Sequence, residues 1–378
     1  MAKKKTSGKL LDRKALAKKY SGSGVATNVL GNNILWLPSR FLLLNNQMGG
    51  GIPYGKIVEI HGLESSGKSL LSFDFAYCAQ QLGGTVIWID AEAAFTNTWA
   101  ELNGLEPENV DLYVESAVEK ISDYIMDMTR YWRSQLTHNE PILLVLDSIA
   151  SLECESNIDS EQSDAKAEMG NRAKAIDKML RIRNPLLSEL GVCTILINQL
   201  RSKIGATKFE DPFTTPGGKA VAFYASIRLA VFGGKQILGK IRGKEARVGK
   251  LSSIRVIKNK VAPPMPSIKG AEVYFNPKYT EQDIGFNKYF GLPELLVDLG
   301  IVDRKKGASW YTYKGKNIAN GDKKFLELLV NDDVMRKKLI RKAGINTISS
   351  TQRKLDKITT NLYPVKAGKE SKETEDDE

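Results

Sequence analysis

Residues 59–75 of the chain read EIHGLESSGKSLLSFDF, and their spacing decides the fold. Residues 62–69 match the pattern G-x-x-x-x-G-K-[ST], in which backbone N–H groups hold phosphate oxygens, the lysine reaches the outer phosphates and the hydroxyl binds Mg²⁺. A strand-like apolar run precedes this segment and a helix-like run follows it, so bound phosphates would lie at a helix N-terminus. The predicted nucleotide-binding residues are Gly62, Leu63, Glu64, Ser65, Ser66, Gly67, Lys68 and Ser69, with Ser69 also a ligand of Mg²⁺.

The composition is that of a globular protein inside a cell. With 378 residues, of which 42% are hydrophobic, the chain is long enough for about two domains plus tails. No apolar stretch approaches the roughly 18 residues of a membrane-spanning helix, and the N-terminus lacks the apolar middle of a secretory signal. We therefore expect an intracellular protein with no membrane partner.

The cysteines and histidines argue against a disulfide framework or a zinc site. The three cysteines, Cys78, Cys154 and Cys193, form no C-x-x-C pair, and only His61 and His138 supply imidazole. Cys78 and Cys193 lie in apolar segments, which predicts buried, unreactive thiols.

Positive charge is concentrated at the N-terminus. The net charge is +11, and residues 1–19 contain eight Lys or Arg against one Asp, whereas the end, KESKETEDDE, is mostly acidic. This asymmetry indicates a polyanionic partner and a tail that competes with it, although solvated, disordered ends explain either tail taken alone.

Alternating strand-like and helix-like segments predict an α/β fold. The runs KIVEIH, TVIWID, PILLVLD and VCTILIN are separated by helix-length segments, which is typical of a largely parallel, buried sheet. The next two runs, SIRLAVF and LSSIRVI, follow each other closely and are predicted to pair antiparallel. A helix after Gly170 is expected to be interrupted at Pro185, and the aperiodic stretches 153–170 and 201–219 are expected to be mobile loops.

The domain boundaries follow from changes in composition. We predict a basic N-terminal region over residues 1–40 and a nucleotide-binding core over 41–268. A small C-terminal α/β domain, starting near a short strand AEVYF, is expected over 269–346, and a disordered tail with an acidic end over 347–378.

Polar residues follow three of the predicted strands. They are therefore expected to gather at one edge of the sheet, where open α/β sheets bind ligands. Asp147, after ILLVL, is placed to organise Mg²⁺, although a helix N-cap is the alternative. Of Asp90 and Glu92, either of which could be structural, Glu92 is the better base for activating water. Asn198 and Gln199 place amides near the γ-phosphate.

The loop after Gln199 has the composition of a nucleic-acid contact. It contains Arg201, Lys203, Lys208 and Phe209, and cations on a flexible loop suit a phosphodiester backbone while aromatic residues stack on bases. An ordinary surface loop is the alternative, but the position directly after a γ-phosphate sensor favours DNA.

Taken in order, several motifs resemble those of RecA-type homologous recombinases, which are ATP-dependent DNA strand-exchange proteins of the RecA/RadA kind. These are GGGIPYGKIVEIHGLESSGKS, VIWIDAE, LLVLDSIASL, INQLRSKIG, TTPGGKAVAFYASIRL, VIKNKVAPP and WYTYKG, and they span roughly residues 49–315. The resemblance implies that residues 41–268 form a RecA-like P-loop ATPase core with a largely parallel, twisted sheet flanked by helices, and that the basic region over residues 1–40 serves oligomerisation.

The resemblance also implies residue roles. Lys68 would contact phosphate, Glu92 would activate water, and Gln199 would couple the γ-phosphate to the second DNA loop. Lys258 and Lys260 match the lysines that reach the nucleotide of the neighbouring subunit. The remaining assignments are Asp147 as the acidic Mg²⁺ partner, Trp99 at the adenine-stacking position, Thr96 in place of an aspartate near the adenine amine, and Phe223 at the subunit interface.

For DNA, the resemblance implies two loops, near residues 155–170 and 200–219. Two basic residues next to the first loop, and several residues of the second loop, occupy positions at which proteins of this family contact DNA. The predicted DNA-binding residues are Met169, Lys174, Arg181, Arg201, Lys203, Ile204, Gly217 and Gly218.

The expected function is recombination and DNA repair by a helical filament that forms on single-stranded DNA, pairs it with homologous double-stranded DNA and exchanges strands. ATP and Mg²⁺ are the implied cofactors, and single-strand-binding and loading proteins are the implied partners. Such a protein would act in the cytoplasm of a bacterial cell or in a virus-infected host cell. The alternatives are a RecA-fold hexameric DNA helicase and a filament regulator without turnover.

Overall fold

The structure is a computed structural model that describes residues 34–158, 165–202, 213–241, 243–263, 265–275, 284–305 and 307–354. Ile34 and Leu35 belong to one unit, and the described residues from Trp36 onward belong to a second, compact unit.

The strands and helices follow the order that the sequence predicts. The strands are β1 (Trp36–Leu37), β2 (Ile52–Pro53), β3 (Ile57–Gly62), β4 (Thr85–Asp90), β5 (Val110–Val114), β6 (Ile142–Asp147), β7 (Cys193–Gln199), β8 (Arg201–Ser202), β9 (Phe213–Thr214), β10 (Ile227–Ile241), β11 (Lys244–Asn259), β12 (Ile268–Tyr274), β13 (Gly285–Phe286), β14 (Trp310–Tyr313) and β15 (Lys316–Asn320). The helices are α1 (Leu42–Met48), α2 (Lys68–Gln81), α3 (Asn97–Leu102), α4 (Val118–Gln135), α5 (Glu155–Ile158), α6 (Ala165–Glu189), α7 (Gly218–Tyr224), α8 (Leu292–Asp298), α9 (Asp322–Asn331) and α10 (Asp333–Ala343).

A nine-stranded sheet forms the centre of this unit, in the order β13-β12-β11-β10-β3-β7-β6-β4-β5. The strands from β10 to β5 are parallel to their neighbours, whereas β11, β12 and β13 pair antiparallel. Strands β3 and β4 are buried along their whole length, as continuous apolar runs in a parallel sheet require. The predicted α/β class with a largely parallel sheet is therefore confirmed, as is the antiparallel pairing of β10 with β11.

The sheet continues beyond the predicted boundary at residue 268. The strand predicted over AEVYF is part of β12, which begins at Ile268 and pairs with β11. Ile268, Ala271 and Val273 are buried, so this strand contributes to the sheet's core. The extent of the C-terminal domain remains a prediction, but AEVYF belongs to the central sheet.

A second hydrophobic cluster contains the C-terminal helices and the β14–β15 hairpin. Leu292, Tyr311, Phe325 and Leu339 are fully buried in it, and Leu42 of α1 packs against them. Helix α1 thereby packs on the C-terminal helices and hairpin, although it is far from them in the sequence.

Two predictions about irregular segments are wrong. Helix α6 continues through Pro185 without a break, because Met179, Leu180 and Leu187 on both sides of the proline are buried in the main core. The stretch 153–170 is also not a loop throughout, since α5 occupies 155–158 and α6 begins at residue 165.

The cysteines of the described residues behave as predicted. Cys78 and Cys193 are buried free thiols, and burial raises the pKa of both. None of the helices in the described part of the chain is long and apolar enough to cross a bilayer.

Candidate nucleotide and DNA site

The glycine-rich segment forms the connection between β3 and α2. Helix α2 begins at Lys68, so its first backbone N–H groups are free of intrahelical partners and point toward a ligand. The Lys68 ammonium donates to the carbonyl oxygens of Gly62 at 3.3 Å and Leu63 at 2.9 Å. The Ser66 hydroxyl is 1% exposed and has no hydrogen-bond partner among the described residues. A phosphate oxygen would satisfy that hydroxyl.

Ser69 and Asp147 provide adjacent oxygen atoms. The Ser69 hydroxyl donates to Asp147 Oδ2 at 3.0 Å, at the end of β6. Burial raises the pKa of Asp147 to about 6, and the charges of Glu92 and Asp90 act in the same direction, while the Ser69 hydrogen bond opposes it. In the described ranges, no group of three or more His, Cys, Asp or Glu side chains could hold a metal ion. The Ser69 and Asp147 oxygens suit Mg²⁺, which usually takes few protein ligands and completes its shell with phosphates and water.

Glu92 lies at the centre of a hydrogen-bond cluster. Its Oε1 accepts hydrogen bonds from the hydroxyl of Ser148, from the hydroxyl of Ser151 at 3.1 Å and from Gln199 Nε2 at 3.0 Å. Asp90 has a different task, because its carboxylate accepts from the backbone N–H groups of residues 92 and 95 and is buried. Asp90 is therefore occupied in holding the backbone after β4, and the role of Glu92 as the base remains a prediction. Ser148 and Ser151 were missed by sequence reasoning, although Ser148 directly follows Asp147.

The side-chain amide of Asn198 makes hydrogen bonds that stabilise the fold. Of the two amides at the end of β7, Gln199 is therefore the one that can contact a ligand. The Asn198 amide donates to Glu59 Oε1 at 3.1 Å and to the carbonyl oxygen of Pro216 at 3.0 Å. Glu59 is fully buried and also accepts from Arg228 Nε. Asn198 thus ties the end of β7 to Pro216, two residues before α7, so the two ends of the second loop are held together.

A cleft of about 440 Å³ opens beside the glycine-rich segment. Residues 65–70 line it together with Trp99, whose stacking on adenine remains a prediction. Arg247, Lys250 and Phe275 line the same cleft, and none of them was predicted from the sequence. The Thr96 hydroxyl accepts from the backbone N–H of Trp99 at 3.3 Å, so this threonine is the N-cap of α3.

Lys258, Lys260 and Phe223 lie away from the residues that line this cleft. Lys258 donates to the carbonyl oxygens of Ala222 at 2.5 Å and Phe223 at 3.1 Å, and burial together with Lys260 and Arg228 lowers its pKa. The Lys260 ammonium lies 5.8 Å from the centre of the Phe223 ring. Phe223 itself is 68% exposed, which is unusual for a large apolar side chain.

Some of the predicted DNA-binding residues are described and some are not. Lys174 and Arg181 are exposed and lie seven residues apart on α6, hence on the same side of the helix. Arg201 is exposed at the start of β8, which pairs antiparallel with β9, so the second loop has a two-stranded base. Lys203, Ile204 and the side chain of Met169 lie outside the described residues.

The two glycines at the end of the second loop differ. Gly217 is buried with φ of +85°, and a Cβ there would lie 3.0 Å from side-chain atoms of Ile149 and Val221. Gly218 is exposed at the first position of α7. Packing therefore explains the glycine at 217, and only Gly218 faces solvent.

Comparison with known proteins gives consistent matches. The family model for the RecA N-terminal domain matches residues 18–277. A Protein RecA from Cytophaga hutchinsonii is 36% identical over 281 residues, which cover 72% of this chain and 70% of the relative. Those from Heliobacterium modesticaldum and Bifidobacterium breve are 33% and 34% identical, over 78% and 82% of this chain and 79% and 73% of theirs.

Proposed function

Because the chain belongs to the RecA family of recombination and repair proteins, we propose that its cleft binds ATP with Mg²⁺ and that DNA controls the hydrolysis of this ATP. Strand exchange is the function of the family, and ATP-dependent DNA binding is the family property that the site must serve. We assign ATP binding and its coupling to DNA to particular residues of this chain.

In the proposed ATP site, Lys68 and the N-terminus of α2 hold the phosphates. Mg²⁺, held by Ser69 and Asp147, would neutralise charge on the β- and γ-phosphates. Glu92 accepts a proton from the attacking water, and Ser148 and Ser151 orient its carboxylate by donating to Oε1. Trp99 stacks on the base at the cleft's edge.

The hydrogen bond between Gln199 and Glu92 is the observation that carries the proposal. Gln199 Nε2 lies 3.0 Å from Glu92 Oε1, and Gln199 is the last residue of β7, directly before the second loop. When a γ-phosphate is present, the amide of Gln199 can bond to it and release Glu92. The position of the loop then depends on the nucleotide, and by linkage ATP affinity depends on DNA to the same extent.

We further propose that the ATP lies between subunits of a filament. Lys258 and Lys260 would add positive charge to the nucleotide of the neighbouring subunit, and exposed Phe223 would insert into that neighbour. Arg201, with Lys203 and Ile204, would contact single-stranded DNA and later the homologous duplex. Single-strand-binding and loading proteins, and a cytoplasmic location, complete this proposal.

Strand exchange between a circular single strand and a homologous linear duplex tests the function. Joint molecules should form with ATP and the wild-type chain, and they should not form with a heterologous duplex. Electron microscopy with ATPγS and single-stranded DNA should show helical filaments. Closed rings with nucleotide-driven unwinding would instead indicate a helicase, and DNA binding without phosphate release would indicate a regulator.

A further inference from the structure

Two cations of β11 line the cleft beside the glycine-rich segment. We call this surface the β11 wall, defined by Arg247, Lys250 and Phe275. The Arg247 guanidinium lies 5.1 Å from the centre of the Phe275 ring. Because this wall and residues 65–70 line the same cleft, a ligand on the glycine-rich segment lies near Arg247 and Lys250 as well as Lys68.

Strands β10 and β11 are held closely against the glycine-rich segment. A Cβ at Gly62 would lie 2.1 Å from the carbonyl oxygen of Val231, so only glycine allows β10 to approach so near. The Ser252 hydroxyl of β11 lies 3.4 Å from the carbonyl oxygen of Ser66 and donates to that of Phe232 at 3.0 Å. Lys250 is two residues from Ser252 and therefore lies on the same face of the strand.

Most of Lys250 is buried, and no counter-charge faces its ammonium. The residue is 7% exposed and reaches the cleft, and within the described ranges it has no hydrogen-bond or ion-pair partner. Its pKa is lowered by burial and then by the positive charges of Arg247 and Lys68. Lysines are almost never buried unless they are paired, because an unpaired ammonium loses its hydration.

Lys68, a second lysine of this cleft, has the partners that Lys250 lacks. Its pKa is also lowered by burial, but the charges of Asp147, Glu92 and Glu64 act in the opposite direction, and its ammonium donates to two carbonyl oxygens. No carboxylate acts in this way on Lys250. An anion that enters the cleft would supply the counter-charge that Lys250 lacks.

We propose that Lys250 is a phosphate-binding residue of the nucleotide site, acting within the same subunit as the glycine-rich segment. Its ligand is the phosphate chain of a nucleoside di- or triphosphate, which its ammonium contacts together with that of Lys68. This role rests on the proposed function, because it assumes that the cleft binds a nucleotide.

The test measures equilibrium binding of ATP, ADP and adenosine to the full chain without DNA. Lys250→Met keeps the length of the side chain and removes its charge, and Lys235→Met removes an exposed lysine of the neighbouring strand β10 as a matched control. Lys250→Met should weaken ATP and ADP binding about tenfold, as expected for a charge-assisted hydrogen bond, and should change adenosine binding less than twofold. Lys235→Met should bind all three like the wild type.

Chemical protection in the wild-type chain gives a second measurement that does not depend on a variant's folding. ATP should protect Lys250 and Lys68 from acylation of their amines, whereas adenosine should not, and Lys235 should react equally throughout. Equal ATP affinity in the wild type and Lys250→Met, or protection of Lys68 alone, would overturn the role of Lys250 and leave the proposed function standing. A wild-type chain that binds no ATP would overturn both.

Discussion

Two groups of residues around the glycine-rich segment satisfy their polar atoms in opposite ways. On the side of the parallel strands, which we call the polar edge, Glu92 and Asp147 accept hydrogen bonds from Ser69, Ser148 and Gln199. On the β11 wall, Lys250 has no partner in the described part of the chain. The polar edge is organised before any ligand arrives, whereas the wall lacks a negative charge.

This difference indicates a division of labour. Groups that orient water must be held in place by other protein groups, since misplacement lowers the rate of the chemical step. A cation that binds phosphate needs no such partner, because the ligand itself supplies the counter-charge. Substitutions on the polar edge should therefore affect turnover and coupling, and substitutions on the wall should affect nucleotide affinity.

The largest effect is expected for Glu92→Gln at the polar edge. The amide can still accept hydrogen bonds from Ser148 and Ser151 but cannot take a proton from water. DNA-stimulated phosphate release should fall about 10²- to 10⁴-fold, while DNA binding with ATP persists. Glu101→Gln, an exposed position at the end of α3, is the control and should keep normal turnover. Normal turnover in Glu92→Gln would remove Glu92 from its role.

The next largest effect is the pH dependence that Asp147 of the polar edge gives to the stability of the protein. The folded-state pKa of Asp147, about 6, lies above the ordinary value of about 3.9. Between these pH values the folded state binds more protons than the unfolded state, so the free energy of unfolding falls as pH rises through 6. The ionised carboxylate therefore costs about 2–3 kcal/mol at pH 8 without ligands.

Asp147→Asn tests this cost by thermal unfolding at pH 5 and pH 8, without nucleotide or Mg²⁺. The variant should be more stable than the wild type at pH 8 by about 2 kcal/mol and closer to it at pH 5. Asp123→Asn, which alters an exposed ion pair with Arg183, should change stability by less than about 1 kcal/mol at both pH values. If the stability of Asp147→Asn depended on pH as that of the wild type does, the raised pKa could not belong to Asp147.

The polar edge could be predicted from the sequence because its residues follow strands. Ser69, Asp147, Glu92 and Gln199 come after or at the ends of β3, β6, β4 and β7, and carboxyl ends of parallel strands meet at one sheet edge. No structure is needed to bring these positions together once the strands are recognised.

The β11 wall could not be predicted in this way. The inward direction of Lys250 depends on its pairing with Gln236 and on irregularities of register in the β10–β11 ladder, and a one-residue change of register would turn it outward. The helix through Pro185 and the place of AEVYF in the sheet were missed for a similar reason. Burial of neighbouring residues outweighed the local signals of a proline and of a change in composition.

A smaller effect is expected where the polar edge meets the DNA loop. Gln199→Ala removes the amide that contacts Glu92, so the nucleotide can no longer influence the loop through it. The increase in single-stranded DNA affinity that ATPγS produces should shrink about tenfold, while nucleotide binding without DNA stays near wild type. Binding of a labelled oligonucleotide with and without ATPγS measures this coupling, and Gln135→Ala at the exposed end of α4 is the control. An undiminished increase would show that coupling follows another route.

The smallest effect is expected for Arg201, a cation just beyond the polar edge. If it contacts a phosphate of single-stranded DNA, Arg201→Ala should make the dependence of log affinity on log salt less steep by about 0.7. Arg130→Ala, on the exposed side of α4, should leave the slope unchanged. ATP affinity without DNA should be normal in Arg201→Ala, the reverse of the pattern expected for Lys250→Met. A loss of ATP affinity with an unchanged salt slope would instead place Arg201 with the cations of the β11 wall.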